Sequence, residues 1–442
     1  RDMAGRTSIV FVSDHAQEVT GEECVLPEKT TFLGPSRVIP QEYPNIKCRF
    51  VDIATPSSSI PRADWIAEQL ICEVSFDNDA SVIAYRGKYR WLPSLVRVDL
   101  QPAAKPDGRL REGGTYLITG GLGGMGLSLA RGIAAEVRAN IVLLCRSGLP
   151  TTTQDSHSGK REVAEQNYSS HVEAVRQIEA LGASVMVVAA DVSDAGQMRN
   201  ALDSIRQHFG EINGVIHAAG VAPCGIIQLK TRQEAERVLA PKIQGTSALL
   251  DALAQSEADF ILLCSSLATI ADAPGQVDYV AANAYLDAMA QRLGQMGAAR
   301  VISVKWDAWG ESGMGVGDVE PISLDKQQSD RRLLGITNAE GVDVFLRVIA
   351  GRYSQIAVST QLISPYAADS ASLAARSIGE DGPDIAAEFP SETLLQTGRP
   401  RPSLSTEYVA PRDDIEKIIA GIWCELLGIA EIGVYDDFVE MG

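Results

Sequence analysis

Tyr116-Leu117-Ile118-Thr119-Gly120-Gly121-Leu122-Gly123-Gly124-Met125-Gly126 runs from an apolar triplet straight into a glycine-rich turn, and Leu127 to Ala135 then carries helical character. Gly121, Gly123 and Gly126 fit G-x-G-x-x-G in a strand–turn–helix setting. Glycines there let the backbone approach a pyrophosphate, and the start of the following helix offers unpaired N–H groups and a positive dipole end. The stretch predicts a dinucleotide-binding turn and, with it, an α/β fold.

The flanking sequence agrees. Short apolar runs recur at Ile141–Leu144, Val185–Val188, Val215–Ile216, Phe260–Leu263, Val301–Val304 and Ile356–Val358. Uninterrupted apolar strands suit a sheet covered on both faces. Between them lie segments with helical spacing, such as Val172, Val175, Ile178 and Leu181. Strands alternating with helices indicate a doubly wound parallel sheet of Rossmann type, placed here at 109–365. Residues 1–108 are mixed: Ser8–Val12 reads as a strand, Trp65–Ile71 as a short helix, and Ser81–Trp91 as two strands joined around Gly87. They hold no catalytic cluster, so a structural subdomain is expected. Residues 366–410, rich in Ala, Ser, Pro and Gly, read as a linker. From 411 to 442, Asp413 and Asp414 can cap a helix with the apolar face Ile415, Ile418, Ile419, Ile422 and Leu426, a piece too short to hold a core alone.

The 442 residues suit two to four folded units. A formal net charge of -18 argues against a surface for nucleic acid or anionic membrane. No apolar run reaches the roughly 18 residues of a membrane span, and Arg1-Asp2-Met3 shows no signal-peptide pattern. The seven cysteines are odd in number and include no CxxC pair, which points to neither a zinc site nor a disulfide framework, and to a reducing cytoplasm. Both ends read as cuts through a longer polypeptide.

On the cofactor side, Thr119 enters the glycine turn. The next strand ends at Cys145-Arg146-Ser147, with Arg146 20 residues after Gly126. An acidic residue near that spacing would hold the ribose 2′-hydroxyl of NAD; an arginine accommodates a 2′-phosphate, which favours NADPH. Asp191-Val192 closes another strand on the same edge. Asp191 suits the adenine amino group or, equally, a helix cap. In His217-Ala218-Ala219-Gly220 the small Ala218 and Gly220 let the backbone pass close to a cofactor, while His217 reads as a core histidine with a hydrogen-bond partner.

Reducing a ketone needs an acid for the oxygen and a group to steady its developing charge. Tyr279 is the candidate acid; a free phenol has a pKa of about 10, so a nearby cation is needed to make it responsive. Ser265 or Ser266 lies at a strand end, where open α/β sheets place their sites. Asn283 follows Tyr279 by four residues and shares its helix face. Many short-chain reductases carry Tyr-x-x-x-Lys, yet no lysine occurs between Lys242 and Lys305. The cation must come from elsewhere, and Lys242 is best placed.

Four stretches together resemble the ketoreductase region of modular type I polyketide synthases, or of hybrid polyketide/nonribosomal peptide systems, an extended short-chain dehydrogenase/reductase family. They are Thr119–Gly126, His217–Gly220, Lys242 with Ser266, and Tyr279-Val280-Ala281-Ala282-Asn283-Ala284-Tyr285-Leu286-Asp287. Gly34–Glu42 is similar to the family's N-terminal half, which the resemblance makes a truncated Rossmann-like structural subdomain. In that family the catalytic lysine and asparagine have exchanged places. The resemblance implies Tyr279 as proton donor, Ser266 (favoured over Ser265 by its spacing to Tyr279) on the carbonyl oxygen, Lys242 lowering the tyrosine pKa and Asn283 ordering a proton relay. It further implies a mobile substrate lid near Trp309, Gly313 and Met314. One stereochemical class carries Leu-Asp-Asp after His-Ala-Ala-Gly, where this chain has Ala222, Pro223 and Cys224; the other often has a tryptophan eight residues before the tyrosine, where Ala271 stands. Neither mark is present, and the missing aspartates lean towards an L-type hydroxyl. Tyr435–Gly442 is similar to the approach to the phosphopantetheine serine of an acyl carrier domain, and no such serine follows. The expected activity is NADPH-dependent reduction of a β-ketoacyl thioester on an acyl carrier protein, beside neighbouring synthase domains. The alternatives are α-ketoacyl reduction in a depsipeptide-forming synthetase and a redox-silent domain that keeps the fold.

Overall fold

The computed structural model describes residues 7–53, 63–75, 80–101, 109–149, 160–223, 225–254, 256–296, 300–312 and 335–361, with 401, 408–412, 416–417, 420–421, 424, 429 and 431–436 of the C-terminal stretch. The chain forms two compact units, Arg1–Asp369 and Ser370–Gly442.

The first unit holds two sheets. The N-terminal one comprises β1 (Thr7–Ser13), β2 (Ile46–Ile53), β3 (Val82–Arg86) and β4 (Tyr89–Trp91), in the order β1-β2-β3-β4. The first three strands are parallel, and β4 returns antiparallel through the turn at Gly87. A 3₁₀ turn, Pro27–Phe32, leads into α1 (Leu33–Glu42), and α2 (Ala63–Ser75) joins β2 to β3. The expected first strand, helix and hairpin are all present. β2 and α1 are additions, and their ion pairs and prolines hid them: β2 buries Arg49 and Asp52 among its apolar residues, and α1 contains Pro40.

All seven apolar runs from Tyr116 onward form strands: β5 (Thr115–Thr119), β6 (Asn140–Cys145), β7 (Ser184–Ala189), β8 (Ile212–His217), β9 (Phe260–Ser266), β10 (Arg300–Trp306) and β11 (Gln355–Ala357). They make one sheet in the order β11-β10-β9-β8-β5-β6-β7, every pairing parallel. Its helices are α3 (Gly124–Glu136), α4 (Lys160–Ala180), α5 (Ala195–Phe209), α6 (Arg232–Lys242), α7 (Gln244–Leu253), α8 (Val277–Gln295) and α9 (Asn338–Ala350). Successive strand residues point to opposite faces. Ile118, Ile141 and Leu143 therefore join Leu129, Ile133 and Phe345 in one core, while Leu117 and Val142 join Leu202, Leu249 and Leu286 in the other. The helical spacing around 172–181 runs one residue too far: α4 stops at Ala180, and Leu181 is exposed.

α8 is gripped from both sides. Every residue from Val280 to Ala290 is buried. Tyr285, Leu286 and Met289 face the sheet core, and α1 with the 3₁₀ turn covers the other side. Small residues make this possible. A Cβ on Gly34 of α1 would strike the Val277 carbonyl and the Ala281 side chain, so the helices meet at nearly backbone contact. Val38, one turn on, packs with Ala273 and Val280.

No helix among the described residues is long and apolar enough to cross a membrane. In the second unit, Arg401 grips Asp436 through two nitrogens, at 2.7 Å and 2.5 Å, and the Gly433 amide donates to the same carboxylate at 2.8 Å. The helix face expected at Ile415, Ile418, Ile419, Ile422 and Leu426 lies outside the described residues.

Candidate active site

Sheet order places the site. β5 and β8 are neighbours, but the chain leaves them towards opposite edges, which opens a crevice at their carboxyl ends. The glycine turn lines it. Gly120 has φ +66°, open to glycine at little cost. The Gly121 amide donates to the Leu144 carbonyl at 3.1 Å and the Gly123 amide to the Gly120 carbonyl at 2.9 Å. A Cβ on Gly126 would lie 2.7 Å from the Gly120 oxygen, so the turn packs down on its helix. Exposed Gly123 stands at the head of α3, and no side chain caps that helix. Its first N–H groups are left for a ligand. Ala218 and Gly220 form the facing wall, half-buried: the Ala218 carbonyl oxygen lies 2.9 Å from where a Gly120 Cβ would sit.

Arg146 and Ser147 leave β6 beside this turn, both exposed, and Arg146 has no ion pair among the described residues. Of the two roles open to Asp191, capping is taken by another residue: Asp194 heads α5 and accepts from the Gly196 and Gln197 amides. Among the described residues, Asp191 Oδ1 accepts from the Ser193 N–H, at 2.8 Å, inside its own turn. The Val192 side chain is buried against Gly245 of α7, so only its backbone could meet a ligand.

The residues expected to carry the reduction converge from three elements. Tyr279 and Asn283 stand one turn apart on α8, Ser266 ends β9, and Lys242 ends α6. The Lys242 ammonium lies 5.9 Å from the centre of the Tyr279 ring and donates to the Cys264 carbonyl at 2.8 Å. Burial pushes Lys242 down to about 8, against the pull of Cys264 and Asp287. Burial raises the Tyr279 phenol, and the side chains of Ser266 and Asn283 draw it back down. The two serines differ in their partners. Ser265 is buried with its hydroxyl spent on the Asn283 carbonyl at 3.3 Å. Ser266 is half-buried and touches the tyrosine. Asn283 donates to the Tyr279 carbonyl at 2.8 Å, yet its buried Oδ1 finds no partner among the described residues. A buried acceptor is rarely left so, and this one marks a place for water or ligand.

Two expected site residues sit elsewhere. The Thr119 hydroxyl is fully committed: it lies 2.7 Å from His217 Nδ1 and accepts the Ala219 amide at 3.2 Å. His217 Nε2 lies 3.1 Å from the Pro241 carbonyl, which can only accept. The histidine is thus protonated on Nε2 and accepts from Thr119 through Nδ1. Trp309 is corrected from lid to core. It is 3% exposed, meets Trp306 edge-on at 5.4 Å, and presses on Gly341 of α9, where no side chain fits. Gly313 and Met314 lie outside the described residues. The sequence reading missed the Thr119–His217–Pro241 chain, which anchors the end of α6 that carries Lys242. It also missed Lys230, paired with Asp278 at 2.8 Å, next in sequence to Tyr279. Both depend on contacts remote in sequence.

The crevice suits a nicotinamide dinucleotide on three counts: an uncapped helix start on the glycine turn, an exposed arginine beside it, and, among the described residues, an unpartnered amide oxygen one helical turn from the Tyr279 phenol. A polarised carbonyl placed against Ser266 and Tyr279 needs only hydride to be reduced. The class so defined is a nicotinamide-dependent carbonyl reductase of the short-chain dehydrogenase/reductase type. Residues 114–311 match the KR domain family.

Among relatives, the chain is 28% identical over 325 residues to polyketide synthase PksM of Bacillus subtilis, covering 74% of this chain and 7% of that protein. It is 32% identical over 322 residues to 6-methylsalicylic acid synthase of Penicillium patulum, covering 72% of this chain and 17% of that one. The chain thus spans less than a fifth of these multidomain relatives. A crystallised ketoreductase domain from the bacillaene assembly line superposes with TM-score 0.62 at 26% identity, covering 80% of this chain and 78% of that one. A-type ketoreductases of a modular polyketide synthase share the fold at TM-score 0.66 and 23% identity, covering 82% of this chain and 72% of theirs.

Proposed function

We propose that this chain uses NADPH to reduce a β-ketoacyl thioester, carried on the phosphopantetheine arm of an acyl carrier protein, to the β-hydroxyacyl thioester. The observation that carries this is the meeting of Tyr279, Ser266, Lys242 and Asn283 at the mouth of the glycine-lined crevice. Bound in that crevice, NADPH supplies the hydride. Ser266 donates to the carbonyl oxygen and orients it. The Tyr279 hydroxyl gives that oxygen its proton as the carbon receives the hydride, so C=O becomes CH–OH. Lys242, still charged, steadies the phenolate left behind. Asn283 Oδ1 is free to hold a water through which Tyr279 regains a proton.

Arg146 supports the choice of NADPH, since an exposed cation beside the glycine turn suits a 2′-phosphate. The polyketide synthases among the relatives favour a carrier-bound substrate and neighbouring synthase domains as partners. The free thiols Cys48 and Cys264 favour the cytoplasm. The deciding experiment offers β-ketoacyl and α-ketoacyl pantetheine thioesters with NADPH or NADH and analyses the chirality of the products. Preferred turnover of the β-ketoacyl substrate with NADPH is expected. Preference for the α-ketoacyl substrate would move the reading to depsipeptide synthesis. No NADPH consumption with any substrate, a simple ketone included, would mean a redox-silent domain.

A further inference from the structure

Two loops adjoin the elements that carry the site. One, described at 221–223 and 225–229, follows the His217–Gly220 run; the other, 271–276, leads into α8. They abut, for a Cβ on Gly275 would lie 3.7 Å from the Gly225 carbonyl oxygen. These are also the loops where the two stereochemical marks of the family would stand, at Ala222–Cys224 and at Ala271.

A residue from the N-terminal half ties them together. Glu42, the last residue of α1, accepts the Ile227 amide on Oε2 at 2.7 Å and the Gly275 amide on Oε1 at 2.9 Å. Its neighbour Gln41 accepts the Ala273 amide at 2.8 Å and donates to Asp272 at 3.3 Å. One turn back, Val38 packs with Ile227, Ala273 and Val277. The carboxylate is therefore held on a helix that is itself seated on α8 at Gly34. An ionised acceptor shared by two loop amides fixes the separation of the loops, because hydrogen bonds to a charged group are short and strong.

We propose that Glu42 is a positioning residue that sets the relative placement of these two loops, one continuing the Ala218–Gly220 wall and the other leading into the Tyr279 helix, and through them the face of the ketone presented for reduction. The proposal rests on the reading of this site as a ketoacyl reductase. It adds a determinant of substrate fit and hydroxyl configuration that lies outside the catalytic sheet and touches no reacting atom.

Glu42→Gln tests it in the whole chain. The amide keeps the shape but loses the charge and turns one acceptor into a donor facing an N–H group. Hydrogen exchange at the Ile227 and Gly275 amides should quicken about tenfold, as expected for loss of one charge-assisted bond, while the β5 amides keep their protection. Turnover should show a raised KM for the thioester and an eroded ratio of hydroxyl configurations, with kcat and the Kd for NADPH held. Glu42→Asp, which keeps the charge but shortens the reach, should fall between. Unchanged exchange at both amides would overturn the clamp. Faster exchange with unchanged KM and product ratio would overturn its role in specificity, leaving a structural tie. Failure of the unaltered chain to reduce any ketoacyl thioester would count against the functional reading, and the exchange measurement would still decide the clamp.

Discussion

The two sheets of the larger unit begin alike, with a parallel strand, a loop, a helix and a return to the neighbouring strand, yet they treat the loop after the first strand in opposite ways. After β5 the turn is glycine, and the amides at the head of α3 are left uncapped. After β1 the corresponding amides are filled by the protein's own carboxylates. Asp52 accepts from Ala16 and Gln17, and Glu23 accepts from Val19, Thr20 and Gly21. Buried Arg86 lies 2.6 Å from each carboxylate. Burial pushes Glu23 up, but Arg86 and the loop amides prevail and hold it at about 2. The N-terminal sheet also runs β1-β2-β3-β4 without reversing, so no crevice opens in it. A concavity of backbone amides attracts an anion in either half. One half supplies that anion from its own sequence and becomes structure; the other leaves the place open and becomes a site.

Substitutions can break this contrast. Arg86→Met should leave two buried carboxylates without their cation and cost about 3–5 kcal/mol in urea unfolding, with turnover per folded molecule unchanged; a loss under about 1 kcal/mol would put the built-in anion in doubt. Tyr279→Phe should do the reverse, lowering kcat about 10³-fold with the unfolding midpoint unmoved. His217 joins structure to site. Its imidazole is pushed down to about 3, first by burial and then by the Lys242 charge. The unfolded chain therefore takes up this proton first, and the stability is present above about pH 6.5 and drains away towards pH 3. Between pH 7 and pH 5 it should cost about 2 kcal/mol, an acid-side loss absent in His217→Gln. The smallest effect is expected of Arg146→Ala, which should weaken NADPH about tenfold and leave NADH as it was; equal losses would remove Arg146 from the cofactor site.

The catalytic half was readable because its signals are local. Seven apolar runs gave seven strands, and the glycine turn lies where its spacing put it. Tyr279 and Asn283 share a helix face through a four-residue step, while Lys242 was reached by elimination and by the family resemblance, since nothing near it in sequence joins it to the tyrosine. The N-terminal half was less readable because its order rests on distant pairs. Asp52 can be buried in β2 only because Arg86 arrives 34 residues later, and neither residue announces the other. Trp309 misled for a related reason: a tryptophan beside glycines reads as a loop anchor, and its true neighbour, Gly341, lies on a helix beyond the segment expected to form the lid.

The seating of α1 on α8 bears on how such chains can be recombined. A splice near residue 109 looks natural, since it falls between two sheets. It would nevertheless set a foreign helix against the Val277–Ala281 surface, where a single methyl group at position 34 is already too many. Grafts that move the whole stretch 7–361 keep that fit, whereas exchange of the reducing half alone trades one stereochemical problem for a steric one.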